Sequence, residues 1–283
     1  MKTILFPTDF SSNTNSALEY ALEIATIANA TLHLLHVYTP GVSISKVTGE
    51  VTDAKPEALE KLKVITDTIA KEFSSTKCKS KLREGDIVTE IIAAAEQLNA
   101  DLIIMGTLGA SKLSKVLFGS NTAAIIEKSK CAVLAVPADS TYRIPQKILF
   151  ATNFSYKDLE GAKRLARFAD AFNAEIILGH VDLSIDEDND ETASMMNLMN
   201  EIKAITSYTK IAHRIVSDHN VMMGLDKIIE ENNIDMFALS THKRTWFEKM
   251  YNPSLTKKLS LHTNVPLVVF HTPPDDEKTG KDF

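Results

Sequence analysis

The chain has 283 residues, 44% of them hydrophobic and 24% charged, a composition that excludes a disordered or fibrous protein and leaves room for about two α/β domains of ~140 residues. A net charge of -6 excludes a whole-molecule field that would attract nucleic acid or anionic lipid. No stretch approaches the ~18 apolar residues of a membrane span, and Met1 to Pro7 is too short for a secretory core, so a cytoplasmic protein is expected.

In chain order, Thr3 to Phe6 is an apolar run stopped by Pro7 and reads as a buried strand. Ser12 or Asn13 is placed to cap a helix reaching Ala28, whose Leu18, Ala21, Leu22, Ile24, Ala25 and Ile27 form a broad apolar face. Thr31 to Val37 reads as a second strand and Gly41 to Asp53 as a polar loop. A helix from Pro56 to Phe73 precedes a third strand, Cys78 to Arg83. Then come a helix at Ile87 to Leu98, a fully apolar strand at Leu102 to Met105, a helix at Asn121 to Ser129 and a fifth strand at Ala132 to Val136. Cys78 and Cys131 have no CxxC spacing and read as buried structural thiols.

The order then repeats. Ile4-Leu5-Phe6-Pro7-Thr8-Asp9-Phe10-Ser11 returns as Ile148-Leu149-Phe150-Ala151-Thr152-Asn153-Phe154-Ser155, His36-Val37 as His180-Val181, and Asn99-Ala100-Asp101 as Asn233-Ile234-Asp235. The second copy is about ten residues shorter in its middle. The expected fold is α/β, two tandem doubly wound five-stranded parallel sheets, over residues 1–140 and 145–272. Pro137 to Pro145 reads as a linker and the tail at 273–283, following Thr272, as flexible.

Ligands of open parallel sheets settle at the carboxyl ends of the strands where strand order reverses. In copy one those ends carry Pro7-Thr8-Asp9, Val37, and Met105-Gly106-Thr107 leading to Gly109 and then to Gly119-Ser120-Asn121-Thr122 at a helix start. Glycines there permit positive φ and a close approach of backbone amides to phosphate oxygens, and the helix N-terminus favours an anion. The plain alternative is a turn followed by a capping serine. Neither a Walker A loop nor a GxSxG nucleophile elbow is present.

The spacing Gly106-x2-Gly109-x9-Gly119-Ser120 resembles the nucleotide signature G-x2-G-x9-G-[ST] of ATP-binding universal stress proteins. Ile4 to Ser11, Leu34 to Val37 and Asp101 to Gly106 resemble that family's first, second and fourth strands, and the likeness covers both copies. It implies an adenine nucleotide alpha hydrolase-like fold, made pseudo-dimeric by pairing of the two Val-rich fifth strands, with homo-oligomers and a protein partner also within the family's range. It implies ATP, alone or with a bridging divalent ion such as Mg. Pro7 and Asp9 would stand by the adenosine, Val37 at adenine, Met105 and Gly106 by the ribose, and Gly109, Gly119, Ser120, Asn121 and Thr122 at the phosphates, with Thr8 and Thr107 also among the binding residues.

In copy two Gly106, Gly109 and Gly119 become Ser240, Lys243 and Pro253, and Asp9 becomes Asn153, so that copy is expected not to hold ATP in this way. Lys243-Arg244 reads as a solvated pair, and His213, His219, His242 and His262 lack zinc-motif spacing. Two outputs fit the pocket: a stress-linked regulatory or scaffold protein that binds ATP, and a slow ATPase or phosphotransferase. The motif offers a cradle without a positioned base, which favours binding.

Overall fold

The computed structural model describes residues 1–39, 42–44, 51–107, 119–154, 156–183, 191–241 and 265–271. The expected flexible tail, Gly109, Lys243, Arg244, Pro253, His242 and His262 lie outside these residues. The chain forms two compact units that divide between Tyr142 and Arg143.

Unit 1 contains β1 (Thr3–Pro7), α1 (Asn15–Ile27), β2 (Thr31–Tyr38), a small antiparallel hairpin of β3 (Val42–Ile44) and β4 (Val51–Asp53), and α2 (Ala54–Glu72). It continues with β5 (Lys77–Glu84), α3 (Ile87–Leu98), β6 (Leu102–Gly106), α4 (Ser120–Lys128) and β7 (Ala132–Val136). Its parallel sheet runs β5-β2-β1-β6-β7. Ile4, Leu5, Phe6, Leu32, Leu34, Leu102, Ile103 and Ile104 are buried, as strands covered on both faces by helices must be.

Unit 2 repeats the pattern with β8 (Lys147–Ala151), α5 (Tyr156–Asp170), β9 (Glu175–Asp182), α6 (Glu191–Thr206), β10 (Ile211–Ser217), α7 (Val221–Asn232), β11 (Met236–Thr241) and β12 (Leu267–His271). Its parallel order is β10-β9-β8-β11-β12. In both units strand order reverses beside the first strand, between β1 and β6 and between β8 and β11. The two α/β repeats expected from the sequence are therefore present.

The recurring Asn-x-Asp triplet is architectural. Asn99 and Asn233 end α3 and α7 in left-handed conformation at φ 46° and 52°. Two residues on, Asp101 Oδ2 accepts the amides of Lys2 and Thr3 at 2.6 and 2.9 Å, and Asp235 Oδ2 those of Gln146 and Lys147 at 2.8 and 3.0 Å. Each carboxylate pins the start of its unit's first strand. At the other end of α3, the Asp86 side chain accepts the Thr89 amide at 2.9 Å, satisfying one donor that the helix itself leaves open. Asp86→Ala is expected to lower the urea midpoint, as loss of a helix cap does.

Several expectations change. Pro7 ends β1 as expected, but from inside it, as the last rung opposite Leu35. Neither Ser12 nor Asn13 caps α1: both lie in a 3-10 turn, Ser12–Thr14, and the Thr14 hydroxyl donates to the Ser11 carbonyl at 2.7 Å. The polar Gly41 to Asp53 segment contains the β3–β4 hairpin. The Pro137 to Pro145 linker is partly packed: Ser16 donates to the Ala138 carbonyl at 2.7 Å, and Tyr20 meets Tyr142 edge-on at 4.9 Å. Cys78 and Cys131 are half-buried rather than buried. Burial still pushes the Cys78 thiol up to about 11.

Candidate functional site

At the switch point of unit 1, Thr8 and Asp9 follow the end of β1 and Thr107 follows Gly106 at the end of the neighbouring β6, with Val37 one residue before the end of the adjacent β2. Asp9 is exposed, whereas Pro7, Thr8, Val37, Met105, Gly106 and Thr107 are buried. The Asp9 Oδ1 atom accepts the Ser11 amide at 2.9 Å, closing a tight turn after β1.

The two ends of the glycine segment are tied together. The Gly119 amide donates to the Thr107 carbonyl at 2.6 Å, and the Thr107 amide donates to the Val136 carbonyl at 2.9 Å. The Thr122 hydroxyl donates to the Gly106 carbonyl at 2.9 Å from a buried position. This changes how the sequence-predicted residues act. Gly119 and Thr122 spend their hydrogens on the loop's own carbonyls, and so serve as fasteners. Gly119 has φ −61° and ψ 156°, an ordinary extended conformation, so positive φ is not why a glycine stands there. The donors left to an anion are the first-turn amides of α4, from Ser120 onward, together with the side chains of Ser120 and Asn121, both exposed.

A further layer supports the turn. His36 Nδ1 donates to the Thr8 carbonyl at 2.7 Å, and the Phe10 ring stacks on the imidazole at 4.2 Å. The Phe10 amide donates to Thr8 Oγ1 at 3.0 Å, and Phe10 itself sits at φ 62°. Unit 2 repeats all of it: His180 Nδ1 donates to Thr152 O at 2.8 Å, the Phe154 ring lies 4.3 Å from His180, and Phe154 has φ 63°.

The surroundings of this feature differ between units. In unit 1 the Lys61 ammonium lies 5.7 Å over the Phe10 ring. In unit 2 Glu191 Oε2 is 3.1 Å from His180 Nε2. The buried Asp158, at the position equivalent to Thr14, accepts the Thr152 hydroxyl at 2.8 Å and the Asn153 amide at 3.1 Å. Unit 2 thus has an acid facing inward where unit 1 has Asp9 facing solvent. Repeat alignment at positions 14 and 158 carries the signal for that exchange.

Burial depresses the pKa of His36, which the Thr8 carbonyl and Asp9 oppose and Lys61 reinforces; burial and then Lys79 depress that of His33. The unfolded chain protonates first as pH falls below the ordinary histidine value near ~6.5, so this stability is present above that value and is lost as pH falls through the lower folded values. The urea midpoint is expected to decline from pH 7.5 to pH 5.5, and His33→Gln combined with His36→Asn to flatten the decline.

Of the four histidines considered for a zinc site, His213 is partly buried and His219 exposed. Among the described residues no group of three or more His, Cys, Asp or Glu side chains is arranged to hold a metal ion, and no helix is long and apolar enough to cross a membrane.

The sequence model of the Universal stress protein family matches residues 1–137 and again residues 145–271. The chain belongs to the universal stress protein family. It is 32% identical over 144 residues to a universal stress protein of Methanocaldococcus jannaschii, an alignment spanning 48% of this chain and 81% of that protein. It is 33% identical over 138 residues to one of Synechocystis, spanning 48% of this chain and 85% of that protein. The crystal structure of a universal stress protein from Archaeoglobus fulgidus superposes with a TM-score of 0.73 at 24% identity, covering 95% of this chain and 98% of that one, a likeness in fold. This chain is thus a tandem member of the family, with one family domain in each unit.

Proposed function

We propose that unit 1 binds ATP at the β1/β6 switch point and that the protein works as a cytoplasmic, stress-linked regulatory or scaffold protein. The observation that carries this reading is the fastened segment: Gly119 to Thr107 and Thr122 to Gly106 hold the start of α4 against the end of β6, leaving its first-turn amides for an anion. The signature spacing through Gly109 to Ser120 supports phosphate as that anion. Pro7, Thr8, Asp9 and Val37 form the adenosine side, Met105, Gly106 and Thr107 the ribose side, and Gly109, Ser120 and Asn121 the phosphate side. A divalent ion such as Mg would bridge the phosphates, because the loop supplies no carboxylate to hold it alone. Binding is favoured over turnover, since Asp9 is the acid among the signature residues and its carboxylate is engaged in the turn.

Calorimetric titration of the full chain with ATP, AMP and Mg, with phosphate release followed in parallel, tests this reading. Saturable ATP binding with a stoichiometry of one supports it. No binding, or a stoichiometry of two, refutes the assignment to unit 1 alone, and steady release abolished by loop substitutions would establish the ATPase alternative.

A further inference from the structure

We propose that His36 is a positioning residue for nucleotide binding: through the Thr8 carbonyl and the Phe10 ring it fixes the turn after β1 so that Asp9 is held in one place at the strand-end switch point. This inference rests on the reading of unit 1 as the ATP site.

Asp9 is an exposed residue on a short turn, and a free turn of this kind would sample many conformations. Besides its own bond to the Ser11 amide, contacts on both sides hold it. On its N-terminal side, the Thr8 amide donates to the Leu35 carbonyl at 2.9 Å while the Thr8 carbonyl accepts from His36 Nδ1 at 2.7 Å. On its C-terminal side, Phe10 occupies the left-handed region at φ 62°, a conformation that a bulky aromatic residue adopts only when its surroundings force it. Those surroundings are the Thr8 hydroxyl on its amide at 3.0 Å and the imidazole under its ring, 28° from parallel. The histidine therefore acts on both neighbours of Asp9 at once.

A carbonyl oxygen accepts only, so Nδ1 carries a hydrogen and the tautomer of neutral His36 is fixed. The strain at Phe10 is local to the strand end, where it turns the chain back and presents residue 9. Unit 2 is an internal control. It keeps the same histidine, phenylalanine and threonine, with φ 63° at Phe154, but presents Asn153 in place of Asp9. The device is common to both units; only unit 1 combines it with an acid at residue 9 and the glycine signature.

The test uses the full chain and two readouts, ATP affinity and hydrogen exchange at the amides of residues 10 and 11. His36→Phe, which keeps a ring but loses the donor, is expected to weaken ATP by about 10- to 100-fold and to speed exchange at Phe10 and Ser11. His36→Asn, whose amide reaches a position like Nδ1, is expected to restore most of both. His180→Phe is expected to speed exchange at Phe154 and leave ATP affinity within about twofold of wild type. Should His36→Phe fail to fold, Phe10→Gly, which removes the ring and relieves the positive φ, is expected to weaken ATP likewise. The proposal is overturned if His36→Phe or Phe10→Gly binds ATP as wild type does, if His180→Phe weakens ATP equally, or if His36→Asn rescues nothing. A wild type that binds no ATP refutes the nucleotide reading instead, and unchanged exchange in His36→Phe refutes the clamp independently of any ligand.

Discussion

Replacing Gly109 by Lys and Gly119 by Pro in unit 1, the residues found at the equivalent places in unit 2, is expected to weaken ATP binding by at least about 100-fold while leaving the fold intact. The proline ring suits the backbone of Gly119, whose φ of −61° is close to the value proline imposes, so the substitution does not force the chain out of shape. What it removes is the amide that donates to the Thr107 carbonyl at 2.6 Å. That fastener aligns the start of α4 with the end of β6. A lysine at 109 adds a flexible side chain where the signature requires bare backbone. A misaligned α4 then loses one or two of the charge-assisted bonds that its first-turn amides would make to phosphate, and at about 1.5–3 kcal/mol each that corresponds to the stated fall. Titration calorimetry measures it, with circular dichroism as the control for folding. A double variant that binds like wild type would remove the glycine segment from the site.

A second substitution is expected to act on unit 2 through packing alone. A Cβ at Gly161, on α5, would stand 2.5 Å from the Ser240 Cβ and 2.6 Å from its hydroxyl, distances that no repacking of a flexible tip can relieve. Gly161→Ala is expected to cost about 3 kcal/mol, the upper end of overpacking penalties, read as a lower urea midpoint. The equivalent positions in unit 1 are Ala17, fully buried on α1, and Gly106. Unit 1 therefore has the small side chain on the helix and none on the strand, and unit 2 has the reverse. Adding Ser240→Gly to Gly161→Ala recreates the unit 1 combination and is expected to recover most of the loss. Failure of the second change to rescue the first would show that the helix–strand distance differs between the units for another reason.

This exchange also shows where the sequence is legible and where it is not. The α3 boundaries, Ile87 to Leu98, are readable because Asp86 and Asn99 terminate the helix with local chemistry. The strands are readable because both their faces are covered, which leaves continuous apolar runs such as Leu102 to Met105. The β3–β4 hairpin has only three residues per strand, too few for an alternating pattern to emerge. At the site, the strand ends and the signature identify the residues but not the direction of their hydrogen bonds. Gly119 and Thr122 look like ligand donors in the sequence, and only the fold reveals that both donate to the chain. The buried Asp158 is hidden for a related reason: its unit 1 counterpart, Thr14, draws no attention.

The ties from Gly119 to Thr107 and from Thr122 to Gly106 have a consequence for engineering. They deliver both ends of the intervening segment to the core at a fixed separation, independent of what that segment contains. A segment of different composition or length between positions 107 and 119 is then expected to cost little in chain closure, since each doubling of length adds only about 0.6 kcal/mol. A transplanted segment from another family member would need only Gly106, Thr107, Gly119 and Thr122 as its socket.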